Sequence, residues 1–412
     1  MNPSTSATGD RYAAFRHSAF SRYWTARFLA TFSTQIVSVA VGWQIYDLTR
    51  DPFDLGLVGI IQFAPSLLLV LVTGSVADRF GRRLIMSIAA FLEAACALAL
   101  VLLTIRGLDG TGEVFAILFV FGIARAFFAP ASASLVANLV PAETFANAVA
   151  WNSSAWQTAT IVGPVAGGLL YGLSPEIAYG VATMFMLGSA VLVLLIPKPV
   201  QRTDAEKTSL QTIFAGFRYI WSEKIVLGAI SLDLFAVLLS GAVALLPVYA
   251  RDILELGPWG LGLLRAAPGI GAIGVAIWLT SHPVRDHAGL VMLFFVAMFG
   301  AFTIVFGVST IPWLSILALA MLGATDMISV YIRETLIQLW TPDRVRGRVN
   351  AVNMVFVGAS NELGEFRAGT MAALIGVVPA VVFGGVGAIA VAGMWAFLFP
   401  ALRKVRHLDG RV

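Results

Sequence analysis

Two residue types that carry strong chemistry are almost missing. Cys96 is the single cysteine among 412 residues, so no intrachain disulfide can form. The four histidines, His17, His282, His287 and His407, stand in the predicted tails or in one loop, which excludes a histidine metal site inside an apolar bundle. Charge is scarce as well: 12% of residues are charged, against about a quarter in an average soluble domain. There is no H-E-x-x-H pattern, no nucleophile set beside a base and no polar domain to hold one, so an enzyme is not expected, nor is a metal or cofactor. The first 19 residues are polar, with Arg11 and Arg16, and lack the short apolar core and small-residue cleavage site of a signal peptide.

What is abundant is hydrocarbon, at 58% of residues. A helix needs about 20 apolar residues to cross about 30 Å of bilayer core. Such windows recur twelve times, at 22–47, 55–77, 84–105, 113–138, 147–171, 176–197, 225–250, 258–281, 288–309, 312–338, 349–374 and 377–400. They are continuously apolar and lack the period-2 alternation of barrel strands, so the expected fold is an all-α integral membrane protein with twelve transmembrane helices. A net charge of +4 would suit nucleic acid, but the distribution points to a lipid bilayer instead. With the N-terminus inside, only Arg50, Arg106 and Arg251 fall in outside loops, and Arg27, Arg125, Arg265, Arg333 and Arg367 fall within spans. The other 19 of the 27 basic residues lie on the inner side, which predicts a multi-pass protein of the cell inner (plasma) membrane with cytoplasmic N- and C-termini.

The longest polar stretch, 197–224, separates six spans from six. The expected organisation is an N-terminal tail (1–19), a first six-helix half (20–197), a cytoplasmic linker with an amphipathic helix (198–224), a second half (225–400) and a C-terminal tail (401–412). The halves repeat. Gly59, Pro65 and Tyr46 match Gly262, Pro268 and Tyr249 at an offset of 203, and Pro141 and Asn152 match Pro342 and Asn353 at an offset of 201. Duplicated halves are a recurring design of secondary transporters, with the substrate site near the bilayer midplane between the repeats.

The loop after the second span reads Gly74-Ser75-Val76-Ala77-Asp78-Arg79-Phe80-Gly81-Arg82-Arg83. A glycine turn, an acid at the helix end and a basic cluster among anionic headgroups account for it as a positive-inside turn. Its place and pattern also resemble the G-x-x-x-D-R-x-G-R-R loop of the major facilitator superfamily, matched at Gly74, Asp78, Arg79, Gly81, Arg82 and Arg83. The resemblance implies two six-helix halves in a major facilitator arrangement, with this loop as a cytoplasmic gate. The equivalent loop of the second half, His282 to Gly289, does not keep the pattern.

On the fourth span, Arg125 in FGIARAFFAPA sits near mid-membrane, where an arginine should face the bundle interior and find a partner. Either transport or a structural bond to helix-end carbonyls accounts for it. Phe128 and Ala129 depart from the superfamily's helix-4 arginine motif. On the fifth span, Gly163, Pro164, Gly167 and Gly168 allow close helix approach and a bend. The same residues look like the antiporter motif of drug-exporting members, with Ala159 in place of its first glycine.

The second half holds Asp233, Arg265, Asp326, Arg333, Glu334, Glu362, Glu365 and Arg367. Arg333 and Glu334 approach the cytoplasmic end and can snorkel. Glu362 and Glu365 are three residues apart and share a helical face, while Arg367 points about 140° away from Glu362. Two neighbouring carboxylates in low dielectric cannot both ionise cheaply, so one should take up and release protons. The alternative is that the acids pair with Arg125 or Arg265 and hold the bundle together. At the offset of 201, Glu362, Glu365 and Arg367 replace Ile161, Pro164 and Ala166.

The stretch NELGEFRAG, the run 245–272 and the ending Trp43 to Thr49 resemble the efflux subfamily of drug, macrolide and siderophore carriers that includes the enterobactin exporter. The resemblance implies export of an amphipathic small organic substrate by proton antiport and alternating access, driven by the proton gradient, in a functional monomer. Glu362, Glu365, Arg367, Asp326 and Arg125 are the expected charge network; Gln35, Trp43, Arg265, Asn152 and Asn353 are the expected substrate path. The alternatives are a proton-coupled importer and a receptor-like member that does not transport.

Overall fold

Inside hydrocarbon the backbone has no water to bond with, so each apolar run must satisfy its own N–H and C=O groups by coiling. The computed structural model describes residues 10–108, 110–197 and 210–408, excluding the side chains at 70, 71, 74, 75, 77–79 and 210–215. Among them there is no strand. The first half comprises α1 (Ser18–Thr49), α2 (Pro52–Phe80), α3 (Arg82–Arg106), α4 (Gly112–Leu135), α5 (Ala142–Leu173) and α6 (Pro175–Leu194). After α7 (Leu210–Ser222) come α8 (Lys224–Ser240), α9 (Leu246–Val248), α10 (Gly257–Ser281), α11 (Ala288–Val308), α12 (Pro312–Trp340), α13 (Asp343–Ile375), α14 (Val377–Leu398) and α15 (Pro400–Arg403).

Local chemistry sets the ends. Asp51 accepts the Phe53 amide at 2.9 Å and Pro52 opens α2. Gly81 and Gly376, at φ +86° and +92°, separate α2 from α3 and α13 from α14. The matched prolines Pro141 and Pro342 stand immediately before α5 and α13, which therefore start earlier than the apolar windows alone indicate.

Ten helical segments of the described residues are long and apolar enough to cross a membrane. The two long helices outside that set are α5 and α13, of 32 and 33 residues. They occupy equivalent places in the repeat, and both face a cavity between the halves, through Trp156, Gln157 and Thr160 in one and Asn361 and Glu365 in the other. Their polar side chains line that cavity, whereas each of the other ten segments holds an 18-residue window apolar enough to cross.

The packing repeats as the sequence does. Helix α1 packs on α5 and α6, α3 on α4 and α6, and α2 on α4; correspondingly α8 packs on α13 and α14, α11 on α12 and α14, and α10 on α12. The two sets meet where α5 lies on α10 and α2 on α13. A Cβ at Gly163 would stand 2.7 Å from Cβ of Gln35, and one at Gly364 would stand 3.3 Å from Cα of Leu238. Gly163 and Gly364 are 201 apart and Gln35 and Leu238 are 203 apart, so the duplicated contacts keep the duplicated spacing.

The seventh span departs from the expected continuous helix over 225–250. It stops at Ser240, passes Gly241 in the left-handed region at φ +38°, and continues through a 3-10 turn, α9 and a π turn at Tyr249–Ile253. A side chain at Gly241 would run into the Gly364 backbone and stand 3.1 Å from the Ala368 Cβ, so only glycine permits the break beside α13. Of the expected linker, 198–209 lies outside the described residues; α7 docks on the second half, with the Tyr219 hydroxyl donating to Trp340 O at 2.5 Å and Trp221 exposed. The described part of the N-terminal tail is also docked. Trp151 Nε1 donates to Arg11 O at 2.8 Å and Asn147 Oδ1 accepts the Ala14 amide at 3.1 Å.

Candidate functional site

Three adjoining cavities of about 310, 560 and 200 Å³ meet at the centre of the bundle: the second and third are lined by both halves, the first by α1, α3, α4 and α5 of the first half. Thr34, Gln35 and Arg125 are common to the first and third, Arg265 and Glu365 to the second and third, and Trp156 and Thr160 to the first and second. Trp156 is 49% exposed on this wall, and the first cavity follows α1 from Arg27 to Gln35, the part of that helix nearer its N-terminal end. The opposite end is shut. There Asp47 pairs with Arg251, Arg50 reaches Asp252 at 3.0 Å, Tyr46 donates to Asp252, and Phe53 meets Phe366 with ring centroids 5.9 Å apart.

Six sequence candidates line this space: Gln35, Arg125, Arg265, Asp326, Glu362 and Glu365. The two glutamates approach α2 of the other half where that helix has no side chain. A Cβ at Gly59 would stand 2.8 Å from Glu362 Oε2 and 3.4 Å from Glu365 Oε2. Arg265 donates to the Ser38 hydroxyl across the halves, and its Nε is buried without a partner. Arg125 donates to Gln62 Oε1 at 3.5 Å. At the repeat offsets Gln62 corresponds to Arg265 and Arg125 to Asp326, so equivalent places hold a cation and an amide on one wall, and an acid and a cation on the other. Pairing of the acids with Arg125 or Arg265 is not made directly: no ion pair among the described residues includes Glu362, Glu365 or Asp326.

Other candidates fall elsewhere. Arg367 does not join the charge network: its Nε donates to Leu238 O at 3.1 Å and its guanidinium lies 6.0 Å from the Phe383 ring centroid, on the helix face away from the glutamates. Asn353 is buried inside the second half, donating to Glu334 Oε1 at 3.0 Å, and lines none of the three cavities. Asn152 lines none of them either; its Oδ1 is buried without a partner. Trp43 lies under the Arg251 guanidinium at 5.4 Å and belongs to the closed end rather than to the path. Arg333 does not snorkel, because it pairs with Asp233 and both side chains are buried.

Of the loop motif, Gly74 and the side chains of Asp78 and Arg79 lie outside the described residues. Arg82 donates to Ser134 O at 3.0 Å and Arg83 to Ile196 O, so both cations sit at helix C-terminal ends of the first half. Gly81 supplies the turn. The fifth-span glycines give close approach on two sides. A Cβ at Gly167 would stand 3.0 Å from Ile36 Cα in α1, and one at Gly168 would stand 3.2 Å from Gly262 Cα in α10. Pro164 lies inside α5 and its carbonyl faces Gly262.

Glu93 was missed. It is 2% exposed on α3 and lines the cavity beside Arg125. Its signal in the sequence is a lone carboxylate in the apolar window 84–105. Arg27 lines the same cavity.

The transmembrane secretion effector family model matches residues 9–410. The chain is 26% identical over 402 residues to "Enterobactin exporter EntS" of Citrobacter koseri, covering 95% of this chain and 94% of that one. It is 26% identical over 408 residues to the Escherichia coli protein of the same name, covering 96% and 95%. Among solved structures, a bacterial homologue of the human lysosomal transporter Spinster, inward-facing and occupied, superposes with a TM-score of 0.75 at 14% identity, covering 95% of this chain and 98% of that one. A bacterial homologue of the iron transporter ferroportin, inward-facing, gives 0.69 at 14% identity, covering 94% and 99%. A match from residue 9 to residue 410, with the fold shared and the same halves facing one cavity, makes this chain a member of the transmembrane secretion effector family of major facilitator transporters, and a transporter rather than an enzyme.

Proposed function

We propose that the protein exports an amphipathic organic solute of the siderophore or drug class in exchange for protons, by alternating access. The observation that carries this reading is the pair Glu362 and Glu365, set between the halves against Gly59 with no cation in ion-pair reach among the described residues. An acid pair in such a place exchanges charge for a proton as its surroundings change. The closure made by Asp47 and Arg251 at one end of the cavities supports alternating access. With the basic loops inside, that closed end faces outward, so loading is from the cytoplasm, where an exporter collects its solute. The relatives named for enterobactin export favour a siderophore-like solute. The energy source is the proton gradient, with no cofactor, nucleic acid or metal, and the working unit is the monomer.

The test is flux in proteoliposomes with an imposed pH gradient, with enterobactin and ethidium assayed separately. Movement of either should follow the gradient, and Glu365→Gln should abolish that dependence. Gradient-independent movement in the unaltered protein would refute proton exchange.

A further inference from the structure

Toward the N-terminal end of α1, α1 and α4 bring two guanidinium groups to one wall. Arg27 and Arg125 line the cavity of about 310 Å³ together with Thr34, Phe128 and Trp156. Their hydrogen bonds go to neutral groups: Arg27 to the Tyr23 hydroxyl at 3.1 Å, Arg125 to Gln62 Oε1 at 3.5 Å. No carboxylate lies within 4.0 Å of either among the described residues. Glu93 is the one acid lining this cavity, buried and beyond ion-pair reach, and Glu362 and Glu365 line the adjoining cavity that Arg125 shares, also without an ion pair to it. A guanidinium offers five N–H donors in a fixed fork that fits a carboxylate, and most of these donors are unused here. Low-dielectric walls concentrate the field of guanidinium groups that make no ion pair on whatever enters the cleft.

The facing wall is different. Val237, Phe299, Leu319, Leu322 and Met327 make it largely apolar, with Asp326 and Glu365 as its acids. Trp156 belongs to both cavities and presents an exposed ring between them. A solute bound across the space would have its anionic end at α1 and α4 and its apolar body on α8, α11 and α12.

We propose that Arg27 and Arg125 form an anion subsite that takes the acidic group of the transported solute, so that the preferred substrates are aromatic or amphipathic organic anions. The proposal rests on the reading that this cavity holds the transported solute. It selects by charge: an organic cation of the same shape meets two like charges at the same place, and a neutral amide leaves the forks unfilled.

The test is equilibrium binding to the full chain in nanodiscs, without a pH gradient, using three probes of one shape: 2-naphthoate, 2-naphthamide and 2-naphthylmethylammonium. The anion should bind about tenfold or more tightly than either of the others, the step that one filled charge-assisted contact supplies. Arg27→Gln and Arg125→Gln should each weaken 2-naphthoate by about tenfold, Arg27→Lys and Arg125→Lys by less, and Arg106→Gln at the far end not at all. Thermal unfolding of each variant identifies any that fails to fold, and the lysine pair then carries the comparison. The proposal is overturned if the amide or the ammonium binds as tightly as the anion, if both glutamine variants bind unchanged, or if 2-naphthoate binds no better than to empty nanodiscs. Selective 2-naphthoate binding without gradient-driven flux would leave the subsite standing and sink the export reading. Gradient-driven flux without anion preference would do the reverse.

Discussion

Asp47 at the end of α1 and Arg251 in the turn after α9 form an ion pair that joins the two halves at the closed end of the cavity. Beside it, Arg50 meets Asp252 at 3.0 Å, the Tyr46 hydroxyl donates to the same carboxylate, and the Arg251 guanidinium covers the Trp43 ring. Each half contributes one acid and one base. Solvent-exposed pairs of this kind contribute on the order of 1 kcal/mol or less each, which suits a contact that must break in every transport cycle.

Removing that contact should shift the protein toward opening at this end. Asp47→Asn or Arg251→Gln should raise maleimide labelling of Val58→Cys, on a Cys96→Ser background, by about two- to tenfold from the sealed face, in keeping with loss of one or two such pairs. The exchange Asp47→Arg with Arg251→Asp should restore low labelling. Unchanged labelling in both single variants would remove the lock from the mechanism.

Gly59→Ala should disturb the glutamate pair rather than the fold. Its methyl would stand 2.8 Å from Glu362 Oε2, and displacing a reacting group by a fraction of an ångström to an ångström can cost about tenfold or more in rate. Gradient-driven flux should fall by that order while thermal unfolding stays near that of Gly274→Ala, whose methyl meets open space. Full flux in Gly59→Ala would show that the pair has room to spare.

Gly122→Ala tests packing between α4 and α2. The added carbon would collide with the Gln62 carbonyl, 3.0 Å from its carbon atom, and overpacking of this kind costs about 1–3 kcal/mol. Gly180→Ala has nothing within 4 Å and should be neutral or slightly stabilising through helix propensity. Detergent-phase melting of the two variants side by side distinguishes them, and equal melting temperatures would contradict the tight contact.

Arg333→Gln should be the most damaging of these changes. It leaves Asp233 as an uncompensated buried charge in the second half, a loss of about 3–5 kcal/mol. Asp233→Asn added to it should recover a large part of the stability. A double variant no better than the single would mean that the pair's charge is not what holds α8 to α12.

Much of the fold is legible because bilayer length and backbone hydrogen bonding impose it residue by residue. Pro141 and Pro342 mark the starts of α5 and α13, and Gly163 and Gly364 pack on Gln35 and Leu238, so the duplication read as offsets of 201 and 203 reappears as paired contacts. The glutamates were legible for a similar reason: Glu362 and Glu365 share a face whatever the tertiary arrangement, whereas Arg367, expected in the same network, bonds Leu238 O on another face. Helical periodicity says nothing of partners on other helices. Hence Arg333, near a span end, pairs with Asp233 rather than snorkelling, Asn353 bonds Glu334 rather than lining the path, and Arg50 and Arg251, loop charges by position, pair with the other half.

The sequence alone determined that this chain crosses a membrane, that its halves are duplicated, and that carboxylates sit deep in the second half, because each follows from local composition and period. The tertiary structure decided which half each charge faces. Only the approach of α2 to α13 puts Gly59 against Glu362 and Glu365, and only the meeting of α1 with α10 ties Arg265 to Ser38. Those contacts join residues about 200 to 300 positions apart, where distance is set by how two packed half-bundles meet and not by any pattern along one helix.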